Sequence, residues 1–371
     1  MRFRLEIRDQ DFTVKEIIDK EYFDLSWAYA RIGGCGDFNF TIPRRRFEER
    51  GLRGDYNIRI YYRNPDTDTH DLWYQGLVQN KVPSINGKTE SISVTGHGYV
   101  SQLSRIYLNN LTYSSEVSVI VKSILDNYIV PNTDITYSAS DIEATSFTPD
   151  NIQFNEDAMS AIQKLADIVG GREWGVDKNR KFFFKARSSA VGFKYFLGKE
   201  IINFQDNQDF SEIINHIIVQ GAQTGGTYAT FGPYEDIPSQ LKYNERQRVI
   251  QNSSVTTSSV ASQLATAMLD EFTEVSRRAS CELFNLTGLL EATVPIPLLN
   301  EISRKIKYGQ KRYGTFLYSG LVNRLINRIN YAVTDNGSLK VTLDLDKLRP
   351  TLSEQIGQLE YNLDQVRSAA I

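Results

Sequence analysis

Trp73-Tyr74-Gln75-Gly76-Leu77-Val78-Gln79 is nearly rewritten downstream as Leu317-Tyr318-Ser319-Gly320-Leu321-Val322-Asn323. The shared phrase is Tyr-x-Gly-Leu-Val, carried by Tyr74, Gly76, Leu77 and Val78 in one copy and by Tyr318, Gly320, Leu321 and Val322 in the other. The likeness extends outward. Ile58-Arg59-Ile60-Tyr61 precedes the first copy and Arg304-Lys305-Ile306-Lys307-Tyr308 the second. Downstream, Asn86-Gly87 and Ser91 to Thr95 correspond to Asn336-Gly337 and Ser338 to Thr342. The offset grows from 244 at the tyrosines to 250 at the Asn-Gly pairs, so six residues were added between them. Strand, hairpin turn and strand recur in one order, because Asn-Gly accepts the positive φ angles that a two-residue hairpin needs. The reading is a duplicated β unit in one chain.

The rest of the first hundred residues supports it. Arg2 to Ile7, Phe23 to Ala30, Phe38 to Ile42, Tyr56 to Tyr62, Leu72 to Val78, Ser91 to Thr95 and Tyr99 to Ile106 alternate or run apolar. Turn signals at Gly33-Gly34, Gly51, Asn64-Pro65-Asp66 and Asn86-Gly87 separate them. Short strands in this density imply an antiparallel barrel or sandwich. Helical spacing then appears at Val117, Ile120, Val121, Ile124 and Leu125, ending at Pro131. A second helix is expected from an Asn155 cap to Gly170-Gly171, and a third from Ser258 to Val275. Trp174 to Val176 and Phe182 to Lys185 read as a hairpin around Asp177-Lys178-Asn179, and Phe193 to Leu197 and Ile213 to Val219 as strands. A final helix begins at Thr351, whose spacing to Glu354 is that of a capping box. Its Leu352, Ile356, Leu359, Leu363 and Val366 form an a/d seam, suited to packing on its own chain, to a three-stranded coiled coil or to a neighbouring protein.

Composition narrows the function. The chain has 371 residues, 11 % aromatics and a net charge of −3, which gives no general basic footprint for nucleic acid. The alternating start is a strand and lacks the apolar core of a signal peptide, and no stretch approaches a spanning helix, so a soluble protein made in the cytosol is expected. Cys35 and Cys281 are too few for a disulfide framework or a closed zinc site. His70, His97 and His216 sit in unlike contexts without metal-ligand spacing. Glu282 with Glu291, or Asp206 with Asp209, are the carboxylate pairs available for acid–base work, and nothing singles them out. Gly221 to Gly226 lacks a Walker lysine, and Arg44-Arg45-Arg46 reads as a solvated basic loop or one facing DNA or an acidic neighbour. No catalytic residue, metal or cofactor is expected.

Several phrases resemble the baseplate and tail-tip hub proteins of long-tailed phages, the tail-associated-lysin N-terminal type. They are Gly33 to Pro43, Trp73 to Val78, Phe210 to Gly221 and Leu343 to Asp346. The resemblance covers most of the chain through order and layout. It implies a β-dominated α+β fold of two tail-tube-like antiparallel barrels, an intervening mixed region and a C-terminal helix. The expected domains are 1–106 for the first barrel, 107–205 with 245–290 for the intervening region, 206–244 with 291–350 for an interrupted second barrel, and 351–371 for the helix. The implied role is structural: a homotrimer with six barrel positions that adapts a hexameric tail-tube ring to a three-fold tip. The implied partners are that ring, the tape measure protein, and distal tip, spike or fibre proteins. DNA passes transiently through the channel during ejection, and no stable membrane insertion is expected. Relatives that continue into a hydrolase or receptor-binding region differ from this stretch, which is expected to carry none. The competing class is a carbohydrate- or receptor-binding β protein that stacks sugars on exposed rings such as Trp73 or Trp174. A hydrolase with an unrecognised site is a third.

Overall fold

A computed structural model describes residues 3–44, 53–63, 69–87, 89–149, 152–169, 172–186, 194–196, 201–224, 227–251, 255, 257–273, 276–283, 303–307, 321–334 and 337–345. The protein is β-dominated, with large antiparallel sheets. In chain order the first strands are β1 (Phe3–Arg8), β2 (Val14–Ile18), β3 (Phe23–Ala30), β4 (Gly33–Pro43), β5 (Asn57–Arg63), β6 (His70–Asn86) and β7 (Thr89–Gly98). A mixed stretch follows: β8 (Tyr107–Tyr113), α1 (Val117–Ile124), β9 (Ile152–Asp157), α2 (Ala158–Val169), β10 (Arg172–Val176) and β11 (Phe182–Ala186). Next come β12 (Lys194–Phe196), β13 (Ile201–Asp209), β14 (His216–Thr224), β15 (Thr227–Glu235), α3 (Ile237–Tyr243), β16 (Gln247–Gln251) and α4 (Ser258–Phe272). The last described elements are β17 (Ser276–Leu283), β18 (Ser303–Lys307), β19 (Leu321–Val333) and β20 (Leu339–Leu345).

The main sheet runs β13-β17-β20-β19-β3-β4-β7-β6-β5-β1-β2. Period-two alternation gives it one apolar face. Across the middle strands one row reads Val341, Tyr331, Trp27, Phe38 and Gly96, all buried. The sheet curls over this face. Phe3 of β1 and Trp27 of β3 lie far apart in the strand order, yet their rings meet edge-on at 5.2 Å. Trp27 stacks on Tyr331 at 5.1 Å and 11°, Tyr62 lies 5.0 Å from Trp73, and Trp73 lies 5.7 Å from Tyr331. Each such pair adds about 0.5–1.5 kcal/mol beyond the area it buries. The Tyr22 hydroxyl donates to the Phe3 carbonyl at 3.1 Å and ties the curled edge to the entry of β3.

Tyr99 to Ile106, expected as a strand, is a 3-10 helix over Tyr99–Arg105. Tyr99, Val100 and Leu103 are its buried apolar residues, a one-sided helical spacing that alternation does not describe. The second expected helix begins three residues beyond Asn155. Strand β9 runs through Asn155, and Asp157 Oδ1 accepts from the Ser160 amide at 3.0 Å. The Trp174–Phe184 hairpin forms as expected, with Trp174 paired to Phe184. Its first strand pairs in parallel with Gly33 and Gly34 of β4. Gly34 has φ +76°, and a Cβ there would sit 2.2 Å from the Val176 carbonyl, so the Gly-Gly turn permits this approach.

By compactness the chain divides into two units, 1–149 with 153–205 and 280–346, and 150–152 with 206–279 and 347–371. In the second unit β15-β14-β16 form a small sheet covered by α4, with Ile217, Val219, Ile250, Ala265, Met268 and Phe272 in its core. Strands β14 and β16 are parallel, so the chain crosses over through α3. Buried Asn215 organises that crossover. Its Nδ2 donates to the Asn244 carbonyl at 2.8 Å, and its Oδ1 accepts from the Arg246 amide at 2.7 Å. The described strands that continue the main sheet from the second half are thus 201–209, 276–283, 303–307, 321–333 and 339–345, while 216–251 builds this separate sheet.

Candidate functional surface

The main sheet contains one strand pattern twice. In the first half β3, β4, β5, β6 and β7 follow one another in the chain and lie in the sheet as β3-β4-β7-β6-β5. In the second half β13, β17, β18, β19 and β20 lie as β13-β17-β20-β19, with β18 on the far edge of β19. The first Tyr-x-Gly-Leu-Val phrase falls on the fourth strand of its set, and Leu321 and Val322 of the second phrase fall on the fourth strand of the other. The two sets are joined where β19 pairs with β3, from Arg328 opposite Ala30 to Ala332 opposite Ser26.

The first phrase is a packing device. Tyr74 is fully buried, and its ring folds along its own strand over Gly76, where a Cβ would lie 2.7 Å from the tyrosine oxygen. Its hydroxyl donates to the Gly36 carbonyl at 2.5 Å and ties β6 to β4. Burial holds the Tyr74 and Tyr29 hydroxyls neutral, far above their ordinary pKa, and lifts the neighbouring Cys35 thiol to about 12. Leu77 and Val78 are buried. In the second copy the backbone of Leu321 and Val322 lies in β19, opposite Lys307 and Ile306. Tyr318 and Gly320 lie outside the described residues, as do Leu352, Ile356, Leu359, Leu363 and Val366 of the C-terminal seam.

The other face of the middle strands is polar. One row reads Lys340, Ala332, Ser26, Asn39 and Thr95 across five strands. At one end of this face charges alternate across the junction. His97 pairs with Asp37, Asp37 with Arg328 at 3.1 Å, and Arg328 Nε donates to Asn330 at 2.8 Å. Asn330 in turn donates to Asp344 at 3.1 Å. Toward the next strand Lys340 pairs with Glu282 at 3.1 Å. This continuous polar face, built from both halves of the chain, is the main candidate surface.

Arg31, which sequence reasoning passed over, fastens the junction from the buried side. Its guanidinium pairs with Glu173, both side chains being almost fully buried, and reaches the Ile326 carbonyl at 2.9 and 3.1 Å. Its amide donates to the Asn327 carbonyl at 2.8 Å. The one sequence signal was a charged residue standing between the apolar run of β3 and a Gly-Gly turn.

The sugar-stacking residues of the competing reading are buried: Trp73 is 7 % exposed within the aromatic core, and Trp174 is 1 % exposed beside Phe182, so neither offers a face to a ligand. Cys35 and Cys281 are buried, and neither forms a disulfide. Among the described residues no group of three His, Cys, Asp or Glu side chains converges as a metal site. Of the arginine cluster, Arg44 lies 3.7 Å from Glu90 and the other two fall outside the described residues. No helix among the described residues is long and apolar enough to cross a membrane.

The curled antiparallel sheet has the fold of solved phage tail proteins. Among solved structures the chain is similar to the 43 kDa tail protein of prophage MuSo2 from Shewanella oneidensis, with 14 % identity over 93 % of this chain and 97 % of that one, at a TM-score of 0.62. It is also similar to the tail protein from Neisseria meningitidis MC58, with 9 % identity, 94 % and 97 % coverage and a TM-score of 0.58. The prophage tail protein gp18 from Listeria monocytogenes EGD-e matches with 12 % identity, 98 % and 100 % coverage and a TM-score of 0.52. No protein-family model and no curated protein matches the chain.

Proposed function

We propose that this chain is a structural, non-enzymatic hub of a phage tail tip or baseplate. Three copies close into a ring of six quasi-equivalent strand sets that continues the tail tube. The ring adapts six-fold to three-fold symmetry, with the polar sheet face toward the channel, and it gates genome ejection. The observation that carries this reading is the junction of β19 with β3. There the fourth strand of one set accepts the first strand of the other. Among the described residues the fourth strand of the first set, β6, pairs beyond Val78 only with β7, and β13 ends the sheet order. Repeating the junction between chains joins β6 of one copy to β13 of the next, and a rotation that closes avoids open filaments. Pro83, which has no backbone donor, ends the stretch of β6 able to pair outward. The stretch before it matches the short length of the internal junction.

The partners on this reading are the hexameric distal tail or tail-tube ring, the tape measure protein, and distal tip, spike or fibre proteins. DNA is a transient occupant of the channel, and the place of action is the virion tail tip after synthesis in the host cytoplasm. The seam from Leu352 to Val366 would serve a neighbouring copy or the next tip protein. Mass photometry of the purified chain, alone and with a hexameric tail-tube ring, tests the proposal. A trimer in either setting is expected, and Lys81→Pro, which removes a donor directed to the same edge as Pro83, should return it to monomer without lowering its melting temperature appreciably. A wild-type chain that stays monomeric in both settings sinks it, and glycan binding by that monomer would favour the competing class.

A further inference from the structure

The polar face carries cations that would hold a polyanion if they were free. Two of them are instead engaged by a carboxylate from another strand of the sheet. Arg328 meets Asp37 and Lys340 meets Glu282, while the His97 ring also lies against Asp37. These groups are far from buried: 55 % of the Asp37 side chain and 39 % of the Arg328 side chain are accessible. Pairs so exposed add little stability, so the fold gives no strong reason for placing them there. Their effect on the potential is larger. A guanidinium beside phosphate forms bidentate, charge-assisted bonds, and each such contact strengthens DNA binding through counterion release.

We infer that Asp37 is a masking residue: it occupies Arg328 so that duplex DNA can slide over this face without being captured. The inference rests on the hub reading for the presence of DNA at this face, and on the geometry for the masking. The neighbouring positions agree with a low-friction surface. Ser26 and Ala30 on β3 are short, and the Ser93 hydroxyl donates to Asn39 Oδ1 at 3.2 Å. A polyanion would find these two cations already facing carboxylates.

The test compares the wild-type chain with Asp37→Ala, Asp37→Asn and the Asp37→Ala/Arg328→Ala double variant. Binding of a short fluorescein-labelled DNA duplex is read by anisotropy across a salt series, and assembly by mass photometry on the same samples. Wild type should bind weakly. Both Asp37 variants should bind more tightly at low salt, with a log–log salt slope steeper by about 0.9 for each guanidinium that reaches a phosphate. The double variant should lose that gain. Folded Asp37 variants that bind DNA no better than wild type overturn the masking role, as does a gain that persists in the double variant. Asp37→Asn keeps shape and volume, so a folding defect confined to Asp37→Ala leaves the comparison intact. Failure to form a trimer sinks the hub reading separately, since the masking is measured on the exposed face of either assembly state.

Discussion

Strands β6 and β19 share the Leu-Val of the repeated phrase and end very differently. Beyond Val78, β6 continues as an arm whose residues from Gln79 to Asn86 are all exposed, including Val82 and Ile85. The corresponding half of β19 interleaves buried Ile326, Ile329 and Tyr331 with polar Asn327, Arg328 and Asn330. Each arm has its hairpin partner on one side, β7 or β20. The difference is the other side, where β19 has β3 and β6 has no described partner. A strand phrase therefore sets hairpin geometry, and the neighbouring strand decides whether the arm is core or surface.

The largest expected effect comes from breaking the side that β19 has and β6 lacks. Arg31→Met deprives buried Glu173 of its cation and the Ile326 carbonyl of two donors, at a cost of about 3–5 kcal/mol. Urea unfolding measures the loss. Hydrogen exchange should show protection falling first at Arg328 to Ala332, while Ser93 to Gly96 of the first hairpin stay protected. Equal loss in both hairpins would mean that Arg31 serves the whole core and not the junction.

A smaller effect tests whether the two phrases are one device. Gly76→Val places carbon where the Tyr74 ring and the His97 carbonyl already lie, at a cost of about 1–3 kcal/mol from overpacking. Gly320→Val should cost a similar amount if Tyr318 covers Gly320 in the same way. A neutral Gly320→Val, read by thermal melting, would reduce the echo to shared strand propensity.

The smallest effect lies outside both strand sets and serves as a reference. Partial burial raises the Glu116 carboxyl, but hydrogen bonds from Ser118 and Thr145 outweigh it and hold the pKa at about 2, below the ordinary 4.5. The ionised group thus stabilises the native state fully above pH 4.5, and that contribution is lost as the pH falls toward about 2. Glu116→Gln should lower the melting temperature slightly near neutrality and flatten its fall in acid, with the junction unaffected. An unchanged acid slope in the variant would remove Glu116 from that account.

Strand existence was legible in the sequence because alternation and turn residues act locally. Phe23 to Ala30 is a strand over that same range, and the phrase at Tyr74 lies in a strand followed by a hairpin at Gly87. The helix at Val117 was equally plain from its spacing. Local periodicity failed where a short apolar run fits two periods, as at Tyr99 to Leu103, and at β2, whose VKEII pattern only half alternates in burial.

The sequence by itself determined a β-rich chain with one strand unit written twice and no recognisable catalytic constellation. Which strands belong to the second set was decided by the tertiary structure. Strand β13 and strand β17 are separated by the 210–273 stretch that folds on its own core, and chain order carries no record of such an excursion. The polar face is likewise a tertiary product. Asp37 and Arg328 are 291 residues apart and meet because β3 joins the two sets edge to edge. Side-chain alternation is a property of each strand, whereas the surface that alternation builds depends on backbone hydrogen bonds between strands, and these are chosen only when the chain folds.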